Sequence, residues 1–450
     1  MRRNLTPVQI VVLSFIGVIL VGAILLSLPF ASKSGTSTNF LTSLFTSTSA
    51  TCVTGLVVVD TFDHWTLFGQ AIIILMIQIG GLGYMTIATF FLLFSGRRIT
   101  LRQRFALKEG FNVYKLSGIV SLTRVVFFYV ASLEFVGTVI LTLRFLKEVN
   151  LPRALWMGLF HSISSFCNSG FDIIGGFKSF TGFVNDITIN LVVMGLIVFG
   201  GIGFYVIAEV VSAVKEWLKE GTRRKFTLHT KIAFKFTLLL ILLGAFVILL
   251  IEWNNPNTMG VLPVRGKILS AFFQSITPRT AGFNTLDIAS LRPSSQLLII
   301  LLMFIGGSPG GTAGGVKTTT FFVFFMLILS SFKQQTYVTI MGRTFKLDTL
   351  RKAIFIITFA IFVILFSTFL ILISQGNEFT FMQVLFEVTS AFGTVGLTTG
   401  ITPYLSNFSR VVIIVTMLFG RVGPLSFVLS IATRVKKKLP QLPEEEVAVG

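Results

Sequence analysis

Four segments of the chain set a Phe, a Ser/Thr-rich stretch and a Gly at one fixed spacing: Phe45 to Gly55, Phe160 to Gly170, Phe272 to Gly282 and Phe386 to Gly396. They end in Cys52-Val-Thr-Gly-Leu56, Cys167-Asn-Ser-Gly-Phe171, Arg279-Thr-Ala-Gly-Phe283 and Gly393-Thr-Val-Gly-Leu397. Residues of this kind suit ion ligation by the main chain. Glycine tolerates positive φ, so successive carbonyl oxygens can turn toward one axis. Rings of such oxygens replace the water ligands of a cation, whose transfer into an apolar interior otherwise costs roughly tens of kcal/mol. Any one of these glycines alone reads as a loop turn. Four of them, 115, 112 and 114 residues apart, point to one module copied four times around an axis.

The elements that position these segments belong in a bilayer. Of 450 residues, 53% are hydrophobic and only 12% charged, and the mean hydropathy is +0.86; soluble chains carry about 25% charged residues. Apolar stretches of about 20 residues recur throughout and leave no room for a folded domain outside the membrane. Outer spans are expected at 8–30, 119–146, 232–251 and 353–374, and inner spans at 68–94, 187–214, 296–330 and 411–433. The first stretch resembles a signal-peptide core, but it is too long and lacks a small-residue cleavage site, so it reads as a retained span. Between the spans lie polar segments such as 41–51 and 385–392, which cover about half of a ~30 Å hydrocarbon core. Such half-helices are tolerated only where they are buried in protein or line water, so four of them must surround a cavity. Their C-terminal ends, each about half a negative charge, favour a cation there. The fold class expected is an all-α membrane protein with eight spans and four re-entrant half-helices around a central pore. Its repeats are 1–98, 99–219, 220–333 and 334–434, followed by a cytoplasmic tail, 435–450.

Charge placement narrows the class further. The net charge is +19. With eight spans, 25 Lys/Arg fall on the N-terminal side and 10 on the other, with Lys317 and Arg421 at membrane depth. The positive-inside rule then puts both termini in the cytoplasm. Clusters at Arg97-Arg98, Arg102 and Arg104, Arg223-Arg224-Lys225 and Lys436-Lys437-Lys438 read as anchors in lipid headgroups or as docking surface for a partner, not as a nucleic-acid site. Cys52 and Cys167 occupy equivalent places in two modules and read as packing residues. His161 lacks a Cys or His partner at ligand spacing and reads as packing too. With no phosphate loop, metal-ligand cluster or nucleophile beside a base, the chain does not read as an enzyme, and any nucleotide control must come from another chain.

A second fourfold signature follows each glycine by 24 to 30 residues: Gly80-Gly-Leu-Gly83, Gly200-Gly-Ile-Gly203, Gly306-Gly-Ser-Pro-Gly310 and Gly420-Arg-Val-Gly-Pro424. In the first two it reads as close helix packing or a kink. In the third, six glycines and a proline between Gly306 and Thr320 break any helix, at about 1 kcal/mol per Gly and ~3 per Pro. Gly310, Gly311, Thr312, Gly314, Gly315 and Lys317 are therefore candidates for a gate; a buried hinge without gating motion is the alternative. Lys317 is either a gating charge or a side chain stretching to the interface. In the fourth, Arg421 stands where the others have Gly81, Gly201 and Gly307. At about 2.5 to 3.5 kcal/mol on insertion scales it calls for a role, either on the pathway or in an ion pair with Glu134, the one acid read as lying deep in a span. Glu387, on the fourth half-helix, is expected to face the outer vestibule.

The four glycine segments resemble degenerate versions of the potassium-channel filter found in the Trk/Ktr/HKT superfamily of potassium transporters. The resemblance covers essentially the whole chain and is strongest to the bacterial Ktr membrane subunit. It implies a filter lined by backbone carbonyls of Val53, Thr54, Gly55, Asn168, Ser169, Gly170, Thr280, Ala281, Gly282, Thr394, Val395 and Gly396. Gly55, where the sodium-favouring plant branch has Ser, implies potassium. It also implies that the third glycine loop is the intramembrane gate, and that a homodimer sits on a cytoplasmic ring of nucleotide-binding regulatory subunits. The only small species implied is the transported potassium ion, with sodium left open as a coupling or stimulating ion. Other readings are the pore subunit of an ATP-driven potassium pump, which would be longer, a sodium-permeable relative, and a scaffold without transport.

Overall fold

Leu-, Ile-, Val- and Phe-rich runs free of internal proline become long helices, and the computed structural model, which describes residues 7–83, 107, 119–221, 225–335 and 337–423, is mostly helical with almost no strand. The first quarter holds α1 (Pro7–Ser27), α2 (Phe40–Cys52), the single turn α3 (Thr61–His64) and α4 (Leu67–Leu82). The second holds α5 (Ile119–Phe145), α6 (Leu151–Phe166), α7 (Ile187–Gly201) and α8 (Phe204–Glu220). The third holds α9 (Leu228–Glu252), α10 (Val264–Ile276), α11 (Pro293–Phe304) and α12 (Thr318–Phe332). A short hairpin pairing Thr339–Ile340 with Arg343–Thr344 leads to α13 (Leu347–Gln375), α14 (Phe381–Gly393) and α15 (Asn407–Val422). The basic clusters at Arg97-Arg98, Arg102, Arg104, Arg223-Arg224 and Lys436–Lys438, the tail 435–450 and the inner spans beyond Gly83 and Gly423 lie outside the described residues.

Among the described residues, four helices are long and apolar enough to cross a membrane: Gln9–Ser27, Val120–Phe145, Leu228–Glu252 and Leu347–Gln375. These are the outer spans. The inner helices, read as closely packed or kinked at their glycines in the first two repeats and broken in the third, end or bend in every quarter. α4 ends at Gly83 (φ +78°), α7 at Gly203 (φ +98°) and α15 at Gly423 (φ +88°), while the third quarter reaches positive φ again at Gly310 (+70°). After Gly203 the chain resumes as α8, bent 97° from α7. Left-handed backbone that only glycine adopts without strain sets these stops.

Packing closes the four quarters into a ring. Each outer helix lies on its own half-helix: α1 on α2, α5 on α6, α9 on α10 and α13 on α14. Each inner helix also touches the half-helix of the next quarter: α4 meets α6, α7 meets α10, α11 meets α14 and α15 returns to α2. At the half-helix starts, Asn39, Asn150 and Thr380 cap α2, α6 and α14 with side-chain oxygens, which satisfies backbone N–H groups left without an intrahelical partner. The Phe anchors are fully buried at Phe45, Phe160 and Phe386, but in the third quarter the fully buried ring is Phe273 and Phe272 is only partly buried. The third half-helix therefore reaches its glycine by one residue fewer, and the ten-residue spacing from Phe272 is a coincidence of two adjacent phenylalanines.

Candidate ion filter and gate

Two left-handed positions, two residues apart, mark each loop after a half-helix. They are Val53 and Gly55 (φ +58° and +92°), Asn168 and Gly170 (+60° and +70°), Thr280 and Gly282 (+75° and +80°), and Thr394 and Gly396 (+51° and +94°). Positive φ at alternate residues turns successive carbonyls to the same side, the geometry a ligating ring needs. For β-branched Val53, Thr280 and Thr394 this conformation is strained, at about 1–3 kcal/mol each, and persists only where the surroundings enforce it.

The loops meet. A Cβ added to Gly55 would strike the Ser169 carbonyl and come within 3.1 Å of Gly170 Cα; one on Gly170 would lie 2.8 Å from Ala281 O and 3.0 Å from Gly282 Cα. One on Gly282 would strike the Val395 carbonyl, 3.1 Å from Gly396 Cα, and one on Gly396 would strike the Thr54 carbonyl, 3.0 Å from Gly55 Cα. The order 55, 170, 282, 396 and back to 55 is cyclic. Eight residues from four distant stretches, Thr54 and Gly55, Ser169 and Gly170, Ala281 and Gly282, and Val395 and Gly396, thus form one closed collar of backbone.

Hydroxyls on the half-helices hold the collar in shape. Ser49 Oγ accepts from Gly55 N and Ser390 Oγ from Gly396 N, both at 3.0 Å. Ser164 donates to Phe171 O at 2.6 Å and Thr277 to Phe283 O at 2.5 Å. Among the described residues no basic side chain occupies the last turn of any half-helix, so four negative helix ends converge on the collar. Just outside the second loop, half-buried Asp172 receives the Ile174 N–H at 3.1 Å, and burial, with Asp60 nearby, pushes its carboxyl up to about 7.

Behind the collar lie the inner-span glycines. A Cβ on Gly80, Gly200 or Gly420 would strike the half-helix carbonyl of Thr51, Phe166 or Phe392, so glycine there permits helix and half-helix to touch. The third quarter instead sends 305–317 across the others. Gly306 N bonds Val316 O at 2.8 Å and Thr318 N bonds Gly307 O at 3.0 Å, closing the loop's neck. Ser308 N and Thr312 N donate to Gly201 O and Gly200 O at 2.9 and 3.2 Å, and Phe204 N donates to Gly310 O at 2.9 Å, so the loop is stitched to the bend of the second quarter. Thr312 Oγ1 reaches Phe166 O at 3.2 Å. A Cβ on Gly314 would strike the Thr394 side chain. From the fourth quarter, the Arg421 guanidinium donates to Thr312 O, to Gly80 O and, at 3.2 Å, to Gly81 O. One side chain ties the loop to the first quarter.

A family model described as TrkH, cation transport protein, matches residues 2–441. The chain belongs to the TrkH family. It is 37% identical to the Ktr system potassium uptake protein B of Bacillus subtilis, over 99% of this chain and 97% of that protein. The Vibrio alginolyticus protein of the same name is 39% identical over 98% and 94%, and the potassium/sodium uptake protein NtpJ of Enterococcus hirae 36% over 100% and 98%. The solved potassium transporter TrkH of Vibrio parahaemolyticus shares the fold, with a TM-score of 0.73 at 18% identity, covering 96% of this chain and 86% of that one.

Several residues of this TrkH-family chain sit differently from expectation. Glu387 does not face a vestibule: it is buried, and its carboxylate accepts from Thr398 Oγ1 at 2.8 Å and from the Thr402 hydroxyl, pinning α14 to the loop beyond it. Arg421 makes no ion pair with Glu134. That carboxylate takes Gln78 Nε2 at 3.0 Å, beside Cys167. Lys317 turns back on its own loop, donating to Ala313 O at 2.5 Å and Gly314 O at 3.2 Å. Cys52 and Cys167 are free and buried, and His161 packs with Nδ1 2.7 Å from Met157 O.

A third repeated feature escapes the sequence reading. Hydroxyls of Ser47, Ser162 and Ser275 donate at 2.7, 2.7 and 2.8 Å to Ile19 O, Glu134 O and Ile241 O, each three residues before an outer-helix glycine, Gly22, Gly137 or Gly244. A Cβ on each of those glycines would lie against the same hydroxyl, at 2.5 Å for Ser47 and Ser275. A small residue recurring in mid-span was the available signal.

Proposed function

We propose that the chain is the potassium-translocating membrane subunit of a potassium uptake system, with the collar as its selectivity filter and the 305–317 loop with Arg421 as its gate. The observation that carries this reading is the cyclic contact of four glycine loops, each with alternating left-handed residues. The carbonyls of Val53, Thr54, Gly55, Asn168, Ser169, Gly170, Thr280, Ala281, Gly282, Thr394, Val395 and Gly396 are the ligands in this reading. Gly310, Gly311, Thr312, Gly314, Gly315, Lys317 and Arg421 close the path below them. Repeats at 1–98, 99–219, 220–333 and 334–434, both termini in the cytoplasm and the cell membrane as location belong to the same proposal. So does a homodimer on a cytoplasmic ring of nucleotide-binding regulatory subunits, in line with relatives named for a Ktr system. A relative named for potassium and sodium uptake favours a second reading in which sodium also passes.

A potassium-uptake-deficient bacterium carrying this chain, tested with and without a regulatory subunit, is expected to grow on low potassium. Rescue that follows added sodium instead would sink the potassium assignment and leave the second reading. A pH dependence is also expected. Asp172 gains its charge as pH rises through about 7, and a carboxylate at the outer mouth concentrates cations. Half-saturation for potassium should therefore fall across that range in vesicle flux and stay flat in Asp172→Asn; parallel profiles for the two proteins would remove Asp172 from the mouth.

A further inference from the structure

The position three residues before each collar glycine is Cys52, Cys167, Arg279 and Gly393. Three are uncharged. In the sequence Arg279 counts only as one more cation outside the spans, yet it is 6% exposed. It lies just past the C-terminal end of α10, at Ile276. Among the described residues no carboxylate is within ion-pair distance of it. Its guanidinium reaches only Thr237, with Nη2 3.2 Å from the hydroxyl and Nη1 3.5 Å from the carbonyl, and Nε has no partner. It lines a small pocket with Thr237, Ile197, Val198, Ile202, Gly201 and Gly307, behind the collar where the second and third quarters meet the loop's neck.

A buried arginine without a carboxylate partner is costly, and the two Thr237 hydrogen bonds and the half-negative end of α10 offset only part of that cost. Its position does have an electrostatic consequence. A full positive charge beside the end of α10 opposes the half-negative charge that this half-helix would otherwise present. Three quarters of the collar attract a cation and the third is offset. Conduction requires a site that binds firmly enough to admit an ion and weakly enough to release it.

We propose that Arg279 sets the ion affinity of the filter: its guanidinium, unpaired by any acid among the described residues behind the third loop, loosens cation binding in the collar and so speeds release. The proposal rests on the collar being the ion site. Neutral Arg279→Gln and Arg279→Met should lower the half-saturating potassium concentration by about tenfold, the order expected of one charge acting over roughly 10 Å at an effective dielectric near 20, and should lower the maximal rate with it. Arg279→Lys, which keeps the charge, should stay within about twofold of wild type.

The test is potassium and sodium flux in reconstituted vesicles for these three variants beside Gly55→Ser. A matched fall in half-saturation and maximal rate for Gln and Met but not Lys supports the charge. If Lys behaves as Gln does, or if Gln and Met match wild type, the charge has no such role. If Gln and Met give no folded protein while Lys does, the guanidinium is a structural charge and the proposal is overturned. Unchanged selectivity in Gly55→Ser fails the collar itself, whereas altered selectivity there with a silent Arg279→Gln fails only this inference.

Discussion

Gly55→Ser is expected to lower the ratio of potassium to sodium flux roughly ten- to hundredfold. The glycine stands at φ +92°, and a Cβ there would strike the Ser169 carbonyl of the neighbouring loop. Non-glycine backbone in such a conformation costs about 1–3 kcal/mol, and 1.4 kcal/mol corresponds to about a factor of ten. The collar must relax by moving a carbonyl off its place. A ring with one displaced oxygen discriminates less between ions of different size, because the coordination that replaces water is no longer complete. Flux of potassium, rubidium, sodium and lithium in vesicles gives the ratio directly. An unaltered ratio would exclude the first quarter from the selective site.

Arg421→Ala should raise potassium flux about tenfold or more. Its guanidinium donates to Thr312 O in the crossing loop and to Gly80 O and Gly81 O of the first quarter. Hydrogen bonds from a charged donor contribute about 1.5–3 kcal/mol each, so losing even one of them shifts a closed-to-open balance by an order of magnitude. The substitution also removes a positive charge from behind a cation site. Deleting Gly311 to Gly315 should act in the same direction, since that segment holds Thr312 and the contact of Gly314 with Thr394. Arg421→Lys should fall between, because an ammonium lacks the planar fork that spans two carbonyls from different quarters. Equal flux in wild type, Arg421→Ala and the deletion would remove the loop from the gate.

Membrane embedding, the outer spans and the places of the four glycine loops were legible because each rests on local composition. The expected outer span 119–146 differs from α5 by one residue, and 353–374 lies inside α13, which starts six residues earlier and ends one later. Twenty apolar residues form a helix in a bilayer whatever surrounds them, since no other conformation satisfies the backbone there. Glycine spacing of 115, 112 and 114 residues is likewise a property of the chain alone. Side-chain partners were not legible. Glu387 was read by its charge as facing water, but Thr398 and Thr402 fold over it. Phe272 matched the repeat by count, yet Phe273 is the ring that turns inward.

The sequence by itself determined that this is a membrane chain of four like quarters, each with a polar half-helix and a glycine loop. Only the tertiary structure decided what those quarters do to one another. Closure of the collar, the left-handed turns at Val53, Asn168, Thr280 and Thr394, the crossing of the 305–317 loop and the reach of Arg421 all join residues more than a hundred positions apart. Hydrophobic patterning reports where a segment meets lipid, because that contact is continuous along the segment. A glycine required by a carbonyl of the neighbouring quarter leaves no such pattern, so Gly55 looks like any loop glycine until Ser169 and Gly170 stand beside it.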